Sequence, residues 1–317
     1  ARGAQAAGIP YYPKLVVAVP FTPVTGRRIL VRPDAPREVA KALATATMDV
    51  VRQLKLSSVH WLFTTPEDQE ILKQVGYMPR LTQQYHWHNQ GWATFEDFLG
   101  SLRSKRRREV RRERRMVRDA GITVRMIEGP DLTDAHWAAA DAFYRHTCNR
   151  KWNDPYFEPG FFDRIRETYA DRFVLCAAEK DGEVLAGSIF FREGDALYGR
   201  HWGRRDDVRV KGLHFDVCYH TPIAWAIERG IELYEAGAQG EHKVARGFLP
   251  AEIHSAHWVA DPRLAGGVRR FLAEEAEHTE VIMDVLEART PFRRGDDGPA
   301  PAGAITISPV EAPPEDD

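Results

Sequence analysis

Apolar residues recur along the chain at two spacings, one of about two residues and one of three to four. Alternating or continuously apolar stretches predict strands, because successive strand side chains point to opposite faces of a sheet. Apolar residues three and four apart predict helices, because such positions share one helix face. The predicted strands are 15–19, 27–31, 59–63, 81–88, 122–127, 173–179, 184–191, 196–202, 231–235 and 255–259; the predicted helices are 37–55, 66–75, 94–120, 133–147, 159–169, 214–229 and 264–287.

The order of these elements repeats once. Residues 15–88 read strand, strand, helix, strand, helix, strand, and residues 173–259 follow nearly the same order with one additional strand in front. The pattern predicts an α+β fold with a mixed sheet and two related halves. A length of 317 residues suits two domains, and 43% hydrophobic with 28% charged residues is typical of a globular protein.

Two features bear on the cell compartment. No apolar run approaches the ~20 residues that cross a bilayer, so the sequence predicts no membrane-spanning helix. Cys148, Cys176 and Cys218 are odd in number and far apart, which argues against a disulfide framework or a cysteine zinc site. We therefore expect a cytoplasmic protein, with contact to the inner membrane face left open.

The charge is distributed unevenly. The formal net charge is -2, yet the stretch 103–118 holds ten basic residues and only Glu109 and Glu113 as acids. Like charges on one helix repel, so an anionic partner is expected: tRNA, coenzyme A, anionic lipid or the protein's own acids. The absence of aromatic residues from the run favours phosphate contact over base stacking. The arginines predicted to bind a polyanion are Arg107, Arg108, Arg111, Arg112 and Arg115.

Several strings resemble those of the FemAB-like predicted N-acyltransferases, a branch of the GNAT superfamily. They include YYPK at 11–14, residues 18–26, the basic run 104–115, GLHF at 212–215 and EAGAQGEHK at 235–243. The resemblance extends to about residue 290 and implies two tandem GNAT-like lobes of the Fem type, which transfer an acyl group to an amine. Family members usually carry a further segment before YYPK, so the first lobe is expected to be incomplete at its N-terminus.

The resemblance and the composition together predict five regions. They are the later half of a first lobe at 1–90, a basic connecting helix at 91–121, a complete second lobe at 122–262, a C-terminal helix at 263–290 and a disordered, acidic, proline-rich tail at 291–317.

Acyl transfer to an amine needs a base for the amine and donors for the developing oxyanion. The loop after the predicted strand 231–235 concentrates such groups where ligands of α/β sheets gather, beyond the carboxyl ends of strands. Glu235, Glu241 and His242 are the candidate bases, and His214 could face the acceptor. Cys218 is interpreted either as a nucleophile or as a buried thiol. Tyr219 or Tyr234 could protonate a leaving thiolate.

The donor is expected at the start of the helix near Gly212. In GNAT enzymes this helix N-terminus holds the coenzyme A pyrophosphate through Arg/Gln-x-x-Gly-x-Gly/Ala, and here Arg209 and Gly212 match while His214 does not. The remaining residues expected to bind donor or substrate are Asp216, Cys218, Tyr219, Gln239, Gly240, Lys243, Arg246, Lys151 and Trp152.

The sequence therefore predicts an N-acyltransferase that uses an acyl thioester, on coenzyme A or an acyl carrier protein, as co-substrate, without a tightly bound cofactor. Its acceptor would be a small-molecule, lipid or peptide amine. One alternative is a Fem-type transferase that draws on aminoacyl-tRNA to modify a peptidoglycan-like amine. Another is a non-catalytic module that docks on a polyanion or membrane. Isolated histidine pairs without a cysteine cluster predict no catalytic metal.

Overall fold

The computed structural model describes residues 8–150, 154–237 and 240–293. Its strands are β1 Leu15–Val17, β2 Ser58–Thr64, β3 Met78–His88, β4 Thr123–Glu128, β5 Phe173–Lys180, β6 Glu183–Glu193, β7 Ala196–Arg204, β8 Leu233–Glu235 and β9 Leu249–Val259. Its first helices are α1 Arg37–Gln53, α2 Pro66–Gln74, α3 Phe95–Ser101, α4 Ser104–Asp119, α5 Asp134–Arg150 and α6 Phe161–Tyr169.

Two further helical regions complete the fold. We label α7 the three consecutive segments Leu213–Phe215, Asp216–His220 and Thr221–Glu228, and α8 the helix Pro262–Ala288. Short 3₁₀ turns lie at Gly129–Asp131, Ala170–Arg172 and Glu241–Arg246.

The first of two compact units contains the described residues of 1–84 and 250–287. Its strands follow the order β1-β2-β9-β3, with β1 parallel to β2 and β2 antiparallel to β9. Ala44, Met48 and Val51 of α1 are buried against Val59 and Trp61 of β2. Their spacing of three to four residues in the helix and two in the strand is the one that the sequence pattern predicts.

The second unit contains the described residues of 85–249 and 288–317. Its strands follow the order β3-β8-β7-β6-β5-β4, in which only β7 and β8 are parallel neighbours among the pairs that the structure describes. Trp137 and Tyr144 of α5 pack with Phe162 of α6 and Phe173 of β5 in its core. The unit boundaries predicted from the sequence stay a prediction.

Each unit holds a parallel strand–helix–strand arrangement, β1-α1-β2 in the first and β7-α7-β8 in the second. In the first unit β2 is flanked by β9, and in the second β8 is flanked by the end of β3. The closing strand of each arrangement therefore comes from the other half of the sequence. The prediction of an α+β fold with two related lobes is confirmed.

The predicted strand 27–31 is wrong. The backbone N–H of Gly26 donates to Phe63 O, and that of Arg28 donates to the Asp68 carboxylate at 2.6 Å. The Arg28 guanidinium also donates to the carbonyls of Leu62 and Val24. These contacts occupy the polar groups of the segment in place of a strand ladder, so the β-pattern in the sequence does not become a strand.

The single helix predicted over 94–120 is two helices. Its predicted start is confirmed: Thr94 Oγ1 accepts from Asp97 N at 3.1 Å, and Asp97 Oδ2 accepts from Thr94 N at 2.9 Å. The break falls at Leu102, which is fully buried, has an extended backbone and forms a β-bridge with Phe292. Backbone hydrogen bonds from Arg103 N to Pro291 O and from Arg293 N to Ser101 O replace the helical ones at this point, so α4 has its own start.

A wide turn inside α7 shapes the site described below. Thr221 N donates to Asp216 O, five residues back, and Pro222 has no N–H to offer Cys218 O. The two carbonyls left free accept from neighbouring strands: Ser188 Oγ donates to Val217 O at 2.8 Å, and Tyr234 OH donates to Cys218 O. The π-helical turn is thus fixed to β6 and β8.

Candidate functional site

A row of three polar side chains crosses adjacent strands of the second unit. Glu235, the last residue of β8, lies opposite His86 of β3 and opposite Tyr198 of β7 in the strand register. Directly opposed residues share a sheet face, so the carboxylate stands between the imidazole and the phenol ring. The short strand β8 ends here, and Gly237 turns the chain away with a φ of 81°.

Glu235 is a buried carboxyl group with a raised pKa. The residue is 5% exposed, and burial raises its pKa to about 7. His86 is 8% exposed, and its Nε2 lies 3.8 Å from Glu235 Oε1. Burial and the charges of His88 and Lys243 lower the pKa of His86 to about 4, so the imidazole is neutral at pH 7. A carboxyl poised to change its protonation state near neutral pH can act as a general base.

Lys243 supplies a buried cation beside this row. The residue is 2% exposed, and its Nζ donates to Gly237 O at 2.6 Å. Burial lowers the pKa of Lys243 to about 8. Its charge also lowers the pKa of His86 and opposes the rise of the Cys218 pKa, which places the ammonium near both.

A cluster of rings lies on α7 and on the turn Glu241–Arg246. Tyr219 OH lies 2.9 Å from His242 Nε2, and the His214 ring lies 5.7 Å from Tyr219 and 6.2 Å from His242. Burial raises the pKa of Tyr219. His242 is partly exposed, and the partial burial of its ring together with the charges of Arg246 and Lys243 lowers its pKa to about 4. The neutral imidazole and the protonated phenol share one hydrogen bond, and neither group is charged at pH 7. The missing Cβ of Gly240 makes room for the His242 ring, which occupies that space.

Cys218 is a buried thiol. Its Sγ lies 3.6 Å from His214 Nδ1, and burial raises its pKa to about 12. A thiol with such a pKa is protonated at pH 7, so the arrangement lacks the thiolate that a nucleophile requires. The Tyr234 hydroxyl is occupied by the Cys218 carbonyl, which leaves Tyr219 as the phenol with a partner in the loop.

Gly212 approaches another helix closely. Its φ is 84°, and a Cβ at this position would lie 2.8 Å from Glu113 O of α4. The glycine is therefore required by packing of α7 against α4, close to the helix start where a pyrophosphate was expected. Arg209 Nη1 donates to Asp206 O at 2.8 Å, on an exposed turn.

A buried ionic network joins α4, α7 and the turn Glu241–Arg246. Glu113 accepts from Arg246 Nη2 at 2.7 Å and lies 2.6 Å from His220 Nε2. Arg246 also donates to His242 O, and its guanidinium lies 3.3 Å from the Phe215 ring centroid. The partners of Glu113 lower its pKa against the rise that burial alone would cause. Arg246 thus holds the loop in place through its own contacts.

Asp216 belongs to the same region. It is 4% exposed, accepts from Thr221 Oγ1 at 2.9 Å and lies 3.5 Å from Arg114 Nε. Sequence reasoning missed Glu113, although its spacing from Val110 and Val117, both buried, puts all three on one helix face. The sign of a buried role in the sequence was an acidic residue on the apolar face of a basic helix.

The basic helix presents two kinds of arginine. Arg111 pairs with Glu96 at 2.6 Å, and Arg106 pairs with Glu109 at 2.7 Å. Arg108, Arg112 and Arg115 are exposed on one face, and within the described residues they have no carboxylate partner. Arg107 is half-buried and is likewise without such a partner there. The protein's own acids therefore neutralise only part of the helix.

Some predicted site residues are exposed or undescribed. Glu241 is exposed at the start of its turn. Gln239, Lys151, Trp152 and the tail 294–317 lie outside the described residues. Across the described ranges, no three His, Cys, Asp or Glu side chains are grouped to hold a metal ion. None of the helices in those ranges has the length and apolarity needed to cross a bilayer.

Comparison with known proteins gives one family and a set of folds. A family model named FemAB-like, described as peptidoglycan biosynthesis/recognition, matches residues 1–294. No curated protein is significantly similar in sequence.

Solved structures with a similar fold include the following two. One is L-PGS from Bacillus licheniformis, with a TM-score of 0.53 and 13% identity over 82% of this chain and 81% of that one. The other is the C-terminal domain of a putative lysylphosphatidylglycerol synthetase from Agrobacterium fabrum, with a TM-score of 0.52 and 13% identity over 73% and 76%. At this identity the likeness concerns the fold.

Proposed function

Because the chain belongs to the FemAB-like family, we propose that it transfers an acyl or aminoacyl group from an activated donor to an amine, with Glu235 as the general base. The observation that carries the proposal is a 5% exposed carboxyl at the carboxyl end of β8 whose pKa burial raises to about 7. Such a carboxylate takes a proton from an ammonium group more readily than an exposed one, whose pKa is near 4.

The reaction requires the amine nitrogen to lose its positive charge before it attacks. Glu235 accepts one proton from the ammonium group, and the freed lone pair forms a bond to the acyl carbonyl carbon. The bond between that carbon and the leaving group then breaks, with its electron pair on the leaving group. The departing thiolate or alkoxide takes a proton from a neutral acid, and the second amine proton replaces that proton on the acid.

Other groups of the second unit suit the remaining tasks. Lys243 is a buried cation next to the Gly237 backbone, where it can stabilise negative charge on the acyl oxygen. Tyr219, hydrogen-bonded to His242, is the proposed proton donor to the leaving group. The part that Glu241 and His214 take in the reaction stays a prediction.

The identity of the acyl donor is a separate part of the proposal. Two observations favour aminoacyl-tRNA over an acyl thioester of coenzyme A. The Glu113 backbone lies against Gly212 at the start of α7, and His214 stands where the pyrophosphate-binding pattern of GNAT enzymes has Gly or Ala, so the helix start leaves less room for a pyrophosphate. The exposed arginines of α4 offer phosphate contacts instead. The thioester, on coenzyme A or an acyl carrier protein, is the second donor to test.

A ribonuclease experiment separates the donors. Purified protein is supplied with a mixed radiolabelled aminoacyl-tRNA pool or with acetyl-coenzyme A, and amide formation on a lysine-containing peptidoglycan peptide is followed by mass spectrometry. We expect label transfer from aminoacyl-tRNA that ribonuclease abolishes. Transfer from acetyl-coenzyme A that ribonuclease leaves intact would replace tRNA by a thioester as donor. Tight tRNA binding with no transfer to any amine would support the non-catalytic module.

A further inference from the structure

The His86 imidazole is a buried polar group that the proposed reaction has not yet used. Its Nε2 is buried and has no hydrogen-bond partner within the described ranges 8–150, 154–237 and 240–293. A buried nitrogen without a partner is costly, by roughly the desolvation of one polar group, and such groups concentrate at binding sites. The nitrogen faces Glu235 Oε1 across 3.8 Å.

The 3.8 Å distance between His86 Nε2 and Glu235 Oε1 indicates what can bind between them. It is too long for a hydrogen bond, yet one further nitrogen can lie about 2.8 Å from both atoms at once. The ring and the carboxylate are held there by backbone pairing, since His86 and Glu235 are opposed residues of β3 and β8. The gap is therefore set by the sheet and does not depend on a flexible loop.

We propose that His86 Nε2 and Glu235 Oε1 form the subsite that receives the acceptor as a primary ammonium group. This inference rests on the proposed function and names the acceptor class for the same site. With the carboxylate ionised and the ring neutral, both atoms can accept a hydrogen bond, which requires the tautomer with its proton on Nδ1. A primary ammonium has three N–H donors and satisfies both acceptors, whereas a hydroxyl group has only one.

The surrounding charges are compatible with an ammonium ion at this point. In the strand register Glu235 lies opposite His86 of β3 and Tyr198 of β7, and the charge of Lys243 from the turn Glu241–Arg246 acts on His86. Lys243 is the one cation of this group that opposes a second positive charge, and burial lowers its pKa to about 8. Proton loss from Lys243 above that pH therefore strengthens binding of the ammonium.

The subsite can be tested with ethylammonium as the probe, in protein labelled with ¹⁵N at histidine. The His86 ring-nitrogen signal is assigned from its loss in His86→Gln. At pH 8 we expect ethylammonium to shift that signal saturably, with weak, millimolar affinity. Tetramethylammonium has the charge without N–H donors and ethanol has a single O–H, so neither should reproduce the shift.

Variants separate the subsite from general charge attraction. Glu235→Gln should weaken ethylammonium binding at least tenfold, while His88→Gln, an exposed histidine two residues along the same strand, should leave it unchanged. The comparison of ethylammonium with tetramethylammonium is made in the wild-type protein, so it does not depend on the stability of Glu235→Gln. Equal shifts with ethylammonium and tetramethylammonium, or no shift at His86, would overturn the subsite.

Failure of the subsite and failure of the proposed function give different results. Amide formation by wild-type protein without an ethylammonium shift at His86 would leave the transferase standing and remove this subsite. A saturable shift at His86 that Glu235→Gln abolishes, in a protein that acylates no amine, would keep the ammonium site and remove the transferase.

Discussion

Arg246 and Glu113, 133 residues apart in sequence, form a hydrogen-bonded ion pair of 2.7 Å between the turn Glu241–Arg246 and helix α4. Both side chains are close to nine-tenths buried. Since Arg246 also donates to the His242 carbonyl, the pair fixes the loop that carries His242 and Lys243. The acid within the basic run is therefore a structural anchor of the proposed site.

Breaking this pair should be strongly destabilising. We expect Glu113→Gln and Arg246→Met each to lower the free energy of unfolding by about 3–5 kcal/mol, because each leaves its former partner buried and uncompensated. The double variant should lose less than the sum of the two. Urea unfolding of the four proteins in a double-mutant cycle measures this coupling, and additive losses would show that the two side chains do not interact.

Glu235, the proposed general base, should lower the stability of the folded protein above neutral pH. Its pKa in the folded protein, about 7, lies above its ordinary value of 4.5, so the folded protein holds the proton more tightly than the unfolded chain. Stability is therefore lost as pH rises from about 4.5 to 7, by roughly 3 kcal/mol at 1.36 kcal/mol per pKa unit. Glu235→Gln should then be more stable than wild type at pH 8 and nearly equal to it at pH 4.5. Melting curves at the two pH values check this, and a variant less stable at pH 8 would contradict it.

Cys218 should be dispensable for chemistry. Its thiol is buried, and its pKa of about 12 keeps it protonated. Cys218→Ser should transfer acyl groups within about threefold of the wild-type rate, with a stability loss on the order of 1 kcal/mol from the added polar group. A loss of a hundredfold or more in single-turnover rate, with an intact fold, would restore the covalent mechanism.

The exposed arginines of α4 should act on a partner and not on the fold. In Arg108→Gln/Arg112→Gln/Arg115→Gln we expect an unchanged melting temperature and a flatter salt dependence of tRNA affinity, by about one log–log unit per lost phosphate contact. Arg114→Gln is the matched control on the same helix, because Arg114 lies 3.5 Å from buried Asp216. That control should destabilise the protein and leave the salt slope nearly unchanged. A triple variant that melts early with an unchanged slope would make these arginines structural.

The sequence pattern was sufficient for most of the fold because apolar spacing reports which face of an element is buried. The pattern failed where side chains replaced backbone pairing, as at Arg28 and Asp68. It also failed where backbone pairing with Phe292, distant in sequence, took Leu102 out of a continuous helical pattern. The prolyl residue Pro222 within α7 was a readable sign of the wide turn, since proline removes a helical N–H donor.

From the sequence, only the site residues that lie close together along the chain could be predicted. Glu235 and Lys243 lie near one another in sequence, and a strand followed by a glycine-rich loop marked them. His86 lies 149 positions before Glu235, so only the pairing of β3 with β8 brings them together. The buried role of Arg246 likewise depends on Glu113, because charge alone does not tell a ligand contact from an internal ion pair.

The central claim is that Glu235 takes the proton from the amine, and a single-turnover rate of amide formation at pH 8 tests it most directly. Glu235→Gln is compared with Glu232→Gln, an exposed acid three residues earlier in the chain. We expect a loss of 10²–10⁴ in rate for Glu235→Gln, wild-type rate for Glu232→Gln, and a wild-type rate that falls as pH drops below about 7. Equal rates for both variants, or a wild-type rate independent of pH between 5 and 8, would contradict the claim.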